Sequence, residues 1–557
     1  MSQVVLKKLV INNFGPIIKD CIEFVPFTYF IGRNNSGKSH YLKAIEILLA
    51  SRSPSKSEII ALQHDRNQAI RLEGYFEGSQ DFTSLISTSN HKQAVDEAIV
   101  DGIIKVVCIL DPNNEEVNQF GITKPDGTIH NPSGFKGNLL KVLPESISIT
   151  ATADTIDELK NTQNTALSKI KREVLATFFE ELKVKTKESL AKLDEYLHSV
   201  ESGSRCPELV NFEKRFKEEL MGEFEDVQPS VEFSLPDEEV IAKEMKIFLD
   251  DGYKSEIEQK GNGLQRAALL AMLKLLAKYG VRYKDRPSPI FLIGELESFL
   301  HPFAQKQFAD VLQSLASLYQ IVTTTHSPFI IKPKAIEGYR RITKTQLEGT
   351  HAVMPKLSSV DEGLVERHLE NRGNLEGLFA DKVVIVEGKH DENCYEKFRE
   401  LFKIPFPDKK FLVFVKTDGK EQLRIARKFY GGMGFESVSI LADLDYLFSR
   451  DIKHLYSELG INDSLSDDYR KHIEWVEDKD PSLEKVLELI GGKGFPKDHD
   501  KNLETLETKS VFVLKHGGPE NYYKNNKGEK DGWAKLKSES DIEEPKYLKT
   551  LMEKVLS

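Results

Sequence analysis

Gly32-Arg33-Asn34-Asn35-Ser36-Gly37-Lys38-Ser39 decides how this chain is read. The stretch fits G-x-x-x-x-G-K-[ST], and its flanks suit the pattern. Phe27–Ile31 has the unbroken apolar character of a short buried strand, and His40–Ala50 spaces Leu42, Ile45, Leu48 and Leu49 along one helical side. Glycines let the backbone curl so that amide N–H groups face phosphate oxygens, and the helix N-terminus adds partial positive charge. Gly32, Asn34, Asn35, Ser36 and Gly37 would then line the phosphates. Lys38 would reach the β/γ-phosphates, and the Ser39 hydroxyl would ligate Mg²⁺. A chance glycine loop would not put strand, motif and helix in register, so the stretch implies a nucleoside triphosphate.

Working outward, 557 residues exceed one ordinary domain, and two or three are expected. A hydrophobic share of 39% and a charged share of 30% suit a globular protein. Met1–Phe14 lacks a basic stretch followed by an apolar one, and no run approaches about 18 apolar residues. Cys21, Cys108, Cys206 and Cys394 stand far apart with no CxxC pair, which reads as reduced thiols in a cytoplasm. The net charge of −11 excludes a surface that coats polyanions wholesale, although a local basic groove would suffice for phosphate contacts.

Strands are expected at Val4–Ile11, Cys21–Phe24, Ala69–Phe76, Gly102–Leu110 and Ser146–Ala151. From about Thr155 the apolar period becomes helical, through Leu167, Ile170, Val174 and Phe178, then Leu190, Leu193 and Leu197, then Phe212, Phe216, Leu220 and Phe224. Lys169, Lys171, Arg172, Lys183, Lys185 and Lys187 fill the other side of the first part, either as a solvated face or as DNA contacts. This reads as a helical insertion serving self-association. Strand patterns return at Ser230–Leu235, Lys246–Leu249 and Pro289–Ile293, with a long helix over Leu264–Tyr279. Residues 333–375 are polar and mixed.

Three further stretches follow in an order that carries a resemblance. Lys260-Gly261-Asn262-Gly263-Leu264-Gln265-Arg266 opens the long helix, Ile290-Phe291-Leu292-Ile293-Gly294-Glu295-Leu296-Glu297-Ser298-Phe299-Leu300-His301-Pro302 follows a buried strand, and Gln320-Ile321-Val322-Thr323-Thr324-Thr325-His326-Ser327-Pro328 ends another. Together with the phosphate loop they resemble ABC-type ATPases of the SMC-like and RecF-like kind. The resemblance implies ATP as the nucleotide. It also implies that Gly261, Gly263 and Gln265 grip the γ-phosphate of an ATP held by a second subunit, that Glu295 polarises the attacking water and that His326 senses the γ-phosphate. Gln63 and Gln68 both remain open as the Q-loop glutamine. Gly294 departs from the pattern, because an acidic residue normally holds the Mg²⁺ shell there. Glycine supplies no carboxylate, so ATP binding is expected and hydrolysis is expected to be slow or absent.

Near the C-terminus, Leu378-Phe379-Ala380-Asp381-Lys382-Val383-Val384-Ile385-Val386-Glu387-Gly388-Lys389-His390-Asp391 reads as a buried strand ending in Glu387-Gly388, followed by a helix. Ser437–Ala442 leads to Asp443-Leu444-Asp445, and Ser510–Leu514 leads to Lys515-His516-Gly517-Gly518-Pro519-Glu520. Parallel α/β sheets place sites beyond the carboxyl ends of their strands, so Glu387, Asp391, Asp443, Asp445 and Glu520 should converge. Crowded carboxylates call for divalent cations, Mg²⁺ or Mn²⁺, and two such ions suit phosphodiester cleavage. An isolated Asp-x-Asp is usually a solvated turn; two strand-end carboxylate motifs together resemble a Toprim domain. The ATPase followed by Toprim, with Leu378-Phe379-Ala380 before the first strand, is similar to the OLD (overcoming lysogenization defect) family of nucleases.

That resemblance implies an α/β fold with an ATPase domain over 1–154 and 229–370, a dimerising insertion over 155–228 and a Toprim domain over 371–557. It implies an ATP-responsive, metal-dependent DNA endonuclease in bacterial anti-phage defence, acting alone or with a helicase or retron. The five carboxylates would be metal ligands, with a charge-stabilising lysine late in the domain, Lys546 or else Lys515. A rival of another class is a non-cleaving ATP-gated clamp or scaffold. A topoisomerase reading would need a tyrosine-bearing further domain that the sequence does not offer.

Overall fold

Apolar strands with polar connections build the first of two units, Met1–Ala352, around a twelve-stranded sheet. The computed structural model describes residues 3–114, 119–150, 169–171, 173–174, 206–221, 224, 227–233, 245–280, 286–356, 361–405, 411–417, 419–462, 469, 482–525 and 529–556. In chain order the strands of the first unit are β1 (Val5–Phe14), β2 (Ile17–Glu23), β3 (Phe27–Ile31), β4 (Ile70–Glu77), β5 (Ile103–Leu110), β6 (Gln119–Thr123), β7 (Ile129–His130) and β8 (Ser146–Thr150). They continue as β9 (Gln228–Phe233), β10 (Met245–Asp250), β11 (Lys254–Glu256), β12 (Ile290–Gly294), β13 (Gln320–Thr325), β14 (Tyr339–Thr345) and β15 (Gly349–Val353). The large sheet runs β7-β6-β5-β4-β1-β2-β15-β14-β3-β13-β12-β8, while β9–β11 form a small antiparallel sheet.

The large sheet has two characters. β1, β2, β4, β5, β6 and β7 pair antiparallel, whereas β14, β3, β13, β12 and β8 pair parallel. Every residue of β3, β12 and β13 is buried, as expected of parallel strands covered on both faces. Helix α1 (Lys38–Leu49) buries Tyr41, Leu42, Ile45 and Leu48 in the core shared with Leu9, Ile11, Phe30 and Leu72. Gly37 caps that helix at φ +102, and a Cβ there would lie 2.8 Å from Thr350 Cγ2, so the position requires glycine. Further on come α2 (Asn262–Tyr279) and α3 (Pro302–Leu315).

The second unit, Val353–Ser557, holds a wholly parallel sheet in the order β17-β16-β18-β19, from β16 (Lys382–Val386), β17 (Leu412–Lys416), β18 (Val438–Ala442) and β19 (Val511–Val513). Its helices include α4 (Lys389–Leu401), α5 (Leu483–Lys493), α6 (His499–Glu507) and α7 (Pro545–Leu556). Val384, Tyr395, Phe398, Leu441, Leu548 and Met552 form part of one core. No helix among the described residues is long and apolar enough to cross a membrane.

Several sequence expectations change. Part of the segment read as polar and mixed is β14 and β15, and β14 lies directly beside β3. Its basic residues hid it: Arg340 is buried, with Nε donating to the Glu23 carbonyl at 2.8 Å. The two units divide inside β15, ahead of the border expected at 370/371. Most of the expected insertion lies outside the described residues. Within it, helix Pro207–Leu220 buries Leu209, Phe212, Phe216 and Leu220. Lys171 is buried and Lys169 Nζ donates to the Ser146 carbonyl at 2.7 Å, so these two do not belong to a solvated lysine face.

Candidate functional site

Two strand-end sites emerge, one in each unit. In the first, the parallel order β3-β13-β12 brings the residues after each strand together. Lys38, on the first turn of α1, is almost fully buried and donates to the carbonyls of Gly32 at 3.1 Å and Arg33 at 2.9 Å. Its Nζ lies 2.6 Å from His326 Nε2, and His326 Nε2 lies 3.0 Å from Glu295 Oε1. Glu295 itself is 3.8 Å from Lys38 and adopts φ +52, a left-handed conformation that turns the chain directly after β12. Burial pushes the Lys38 ammonium down to about 8, against the pull of Glu295 and Glu297. The His326 hydrogen bond holds the Glu295 carboxyl below its ordinary range despite burial.

Glu297 was not singled out from the sequence, although it stands in the same block. Its side chain is buried; Oε1 accepts from Thr325 Oγ1 at 2.5 Å and from the His326 N–H at 2.9 Å. Burial raises its pKa. This carboxylate ties the turn after β12, which carries Glu295, to the end of β13, which carries His326. Of the loop residues, Gly32 and Ser36 are buried, whereas Asn34, Asn35 and Ser39 are exposed. Gly261 precedes α2 and Gly263 lies in its first turn, both with open space where a side chain would be; Gln265 is buried. Gln63 is buried and Gln68 Nε2 donates to Asp65, 2.9 Å away.

In the second unit all four strand ends contribute. Glu387, Asp443 and Asp445 each present a carboxylate oxygen within 4.8 Å of the others. Asp391, on the first turn of α4, accepts from the Gly388 N–H at 2.9 Å. A Cβ built on Gly518 would fall 2.8 Å from Glu520 Oε2 and 2.9 Å from Asp443 Oδ2, so Gly518 leaves room for both acids. Ionised pairs at such spacing repel by roughly 3–4 kcal/mol at an effective dielectric near 20. Burial first, then Asp445 and Asp391, lift Glu387 to about 7. Burial first, then Asp391 and Asp445, push Asp443 far above the carboxylate range.

Among the described residues, the Lys420 ammonium answers part of this charge. Lys420, just past β17, places Nζ 2.8 Å from Asp445 Oδ2, and its backbone N–H holds Glu387. Lys420 was missed because β17 was missed; recognising that strand would have placed Gly419-Lys420 at a fourth strand end. His390 Nε2 lies 3.4 Å from Glu520 and also approaches Cys394, which pairs with Tyr523 at 2.8 Å. Lys546 stands exposed in the first turn of α7, and Lys515 lies 3.7 Å from Asp500. Asp445 Oδ1 is buried with no hydrogen-bond partner. An orphaned carboxylate oxygen within an all-oxygen, acid-rich cluster suits a hard divalent cation.

Comparison with known proteins finds a family match in each unit. The AAA ATPase domain family matches residues 5–124 and 116–331, and the overcoming lysogenization defect protein-like TOPRIM domain matches residues 378–445. The chain is similar to the Old nuclease of Escherichia phage P2, 26% identical over 465 residues, covering 79% of this chain and 77% of the relative. It is also similar to the OLD nuclease of Thermus scotoductus, 22% identical over 449 residues, covering 75% and 78%. Among solved structures, the Smc head domain with an extended coiled coil bound to the C-terminal domain of ScpA from Pyrococcus furiosus is 15% identical. It covers 63% of this chain and 96% of that one, with a TM-score of 0.42.

Proposed function

We propose that this chain, which belongs to the OLD family through its AAA ATPase domain and its OLD-like TOPRIM domain, is a DNA endonuclease whose carboxylate cluster cuts under the control of bound ATP. The observation that carries the reading is the cluster itself: Glu387, Asp443 and Asp445 within 4.8 Å, with one oxygen of Asp445 orphaned in the interior. Glu387, Asp443 and Asp445 would hold Mg²⁺ or Mn²⁺, with Asp391 and Glu520 beside them. A divalent cation there supplies Lewis acidity to a phosphodiester and charge balance to the acids. Lys420 keeps Asp445 oriented through its 2.8 Å contact and provides a positive charge for a phosphate oxygen. Without a cation, burial and the neighbouring acids lift Glu387 to about 7, a conflict of charge that a bound divalent ion would relieve.

The ATP site supports a sensing role. A γ-phosphate would compete with Glu295 for His326 and with the loop carbonyls for Lys38, and Glu297 would pass that change along β13. Gly294 withholds the acid that normally positions Mg²⁺, so turnover is slow. Open space at Gly261 and Gly263 suits the approach of a second copy's nucleotide, making a homodimer the working form. The family resemblance supports a role in anti-phage defence.

Purified chain incubated with supercoiled plasmid tests this directly. Nicking is expected in Mg²⁺ or Mn²⁺, altered by ATP and absent in EDTA. Asp443→Asn that cuts as well as the parent would sink the site assignment. Plasmid bound in an ATP-dependent way yet never cut would favour the clamp instead.

A further inference from the structure

The end of α5 and the turn into α6 read Gly491-Gly492-Lys493-Gly494-Phe495-Pro496-Lys497. Open space surrounds the positions where side chains would stand on Gly491, Gly492 and Gly494. Phe495 is 36% exposed. It is stacked on His499, centroids 3.9 Å apart and planes at 16°. His499 is buried, and its Nδ1 pairs with the hydroxyl of buried Tyr469 at 2.7 Å. Burial brings the His499 ring down to about 4, so it is neutral at physiological pH. Phe495 therefore rests on a fixed, uncharged ring and offers a flat surface set before anything binds it.

The surroundings mix charges and lead to the carboxylates: Lys497 and Lys515 stand among Asp498 and Asp500, and His516 Nε2 lies 3.1 Å from Glu544 Oε1. Lys497 is exposed, and Lys515 and His516 are near enough to act electrostatically on His499. Both follow β19 on the loop that continues through Gly517 and Gly518 to Glu520. Gly517 lies against α5, since a Cβ on it would meet Leu487 Cδ1 at 3.4 Å. Asp498 and Asp500 are also exposed here, and Lys515 pairs with Asp500 at 3.7 Å. That pair is solvent-screened and readily exchanged for a phosphate.

We propose that Phe495, seated on His499, is a stacking platform for an unpaired base of the DNA strand, with Lys515 and His516 holding the backbone between that base and the carboxylate cluster. A base has a π-face whatever its identity, so the platform selects unpaired strand over sequence. The destination of the strand rests on the nuclease reading; the stacking does not.

The test is a titration of the full chain, in EDTA, into a single-stranded oligonucleotide carrying 2-aminopurine. Stacking is expected to quench the fluorophore. Phe495→Ala should weaken binding about tenfold and remove the quench, while Phe495→Trp restores both. A fully paired duplex of the same sequence should bind more weakly than the single strand. Equal affinity and quench in Phe495→Ala, or no quench with the parent, overturns the platform. Phe495→Ala also removes the stack on His499 and so lowers Tm somewhat. Phe495→Trp, which keeps a ring on His499, separates the two, since quench and affinity should return with it whatever stability Phe495→Ala loses. If quenching holds but plasmid is never cut, the nuclease reading fails and the platform stands. If plasmid is cut with a KM that Phe495→Ala leaves unchanged, the platform alone fails.

Discussion

Both units gather chemistry at the carboxyl ends of parallel strands, yet they balance charge in opposite ways. At the end of β3, β13 and β12 the fold supplies its own partners: Lys38 faces Glu295 and His326, and Glu297 is satisfied by Thr325 and the His326 N–H. At the end of β16 and β18, three close carboxylates, with two more acids acting on them, meet Lys420 as the cation in contact. The first site can stand closed on its own charges and be opened by phosphate. The second holds more acid than Lys420 balances, a conflict that protons relieve in part and that a divalent cation would relieve in full. A site of the first kind suits sensing, and one of the second kind suits metal-assisted chemistry.

Breaking the second site should give the largest effect. Asp443→Asn is expected to reduce plasmid nicking on the order of 10³-fold, because it removes a ligand rather than a support. Burial already keeps Asp443 in its neutral form without a cation, so the metal-free variant should unfold near the parent temperature. A variant that loses cutting and also loses metal-free stability would mean the acid is held by structural bonds instead.

Breaking the first site should leave the second intact. Lys38→Ala removes a buried ammonium aimed into the phosphate loop, and charged hydrogen bonds contribute about 1.5–3 kcal/mol each. ATP affinity should fall roughly tenfold to a hundredfold, measured with a fluorescent nucleotide analogue, while nicking without ATP stays at the parent level. Loss of ATP-free nicking would show that the loop lysine supports the fold rather than the nucleotide.

The contrast also explains what the sequence could reveal. The phosphate loop, His326 and the carboxylates were legible because strand-end chemistry needs fixed residue types at short spacing, as in Asp443-Leu444-Asp445. β14 and β17 were not. Arg340 and Arg341 are buried in β14, inside a segment that reads only as polar and mixed; Arg340 donates to the distant Glu23 carbonyl as well as to the nearby carbonyls of Glu337 and Tyr339. β17 failed for a related reason. Its Leu412–Lys416 run is short, and its role depends on pairing with β16, which local pattern does not report. Missing β17 hid Lys420. Glu297 was visible but silent, since its importance lies in Thr325 and His326, contacts made across strands.

A gentler probe is pH. Glu387 has a folded pKa of about 7, above its ordinary 4.5, so the fold favours the protonated form. Its contribution to stability is therefore greatest below about 4.5 and declines as pH rises toward 7, the reverse of a paired carboxylate. In EDTA the second unit should lose a few degrees of Tm across that window. Mn²⁺ should restore them, and the restoration should grow with pH. A metal-independent Tm over that range would show that the acids are neutralised some other way.

The smallest expected effect tests whether Gly294 is what separates a sensor from an engine. Gly294 ends β12 between Thr150 and Thr324, and a Cβ there would sit 3.3 Å from Thr150 Cγ2 and 3.5 Å from its Cβ. Gly294→Asp is thus tight but accommodated by a shift of Thr150, at about 1 kcal/mol of stability. The new carboxylate would stand one residue before Glu295, where the metal shell needs an acid. ATP turnover should rise a fewfold in a steady-state phosphate-release assay, with nucleotide affinity little changed. Turnover that stays flat, in a variant that folds and binds ATP, would place the restraint in the Glu295–His326–Lys38 contact rather than in the missing acid.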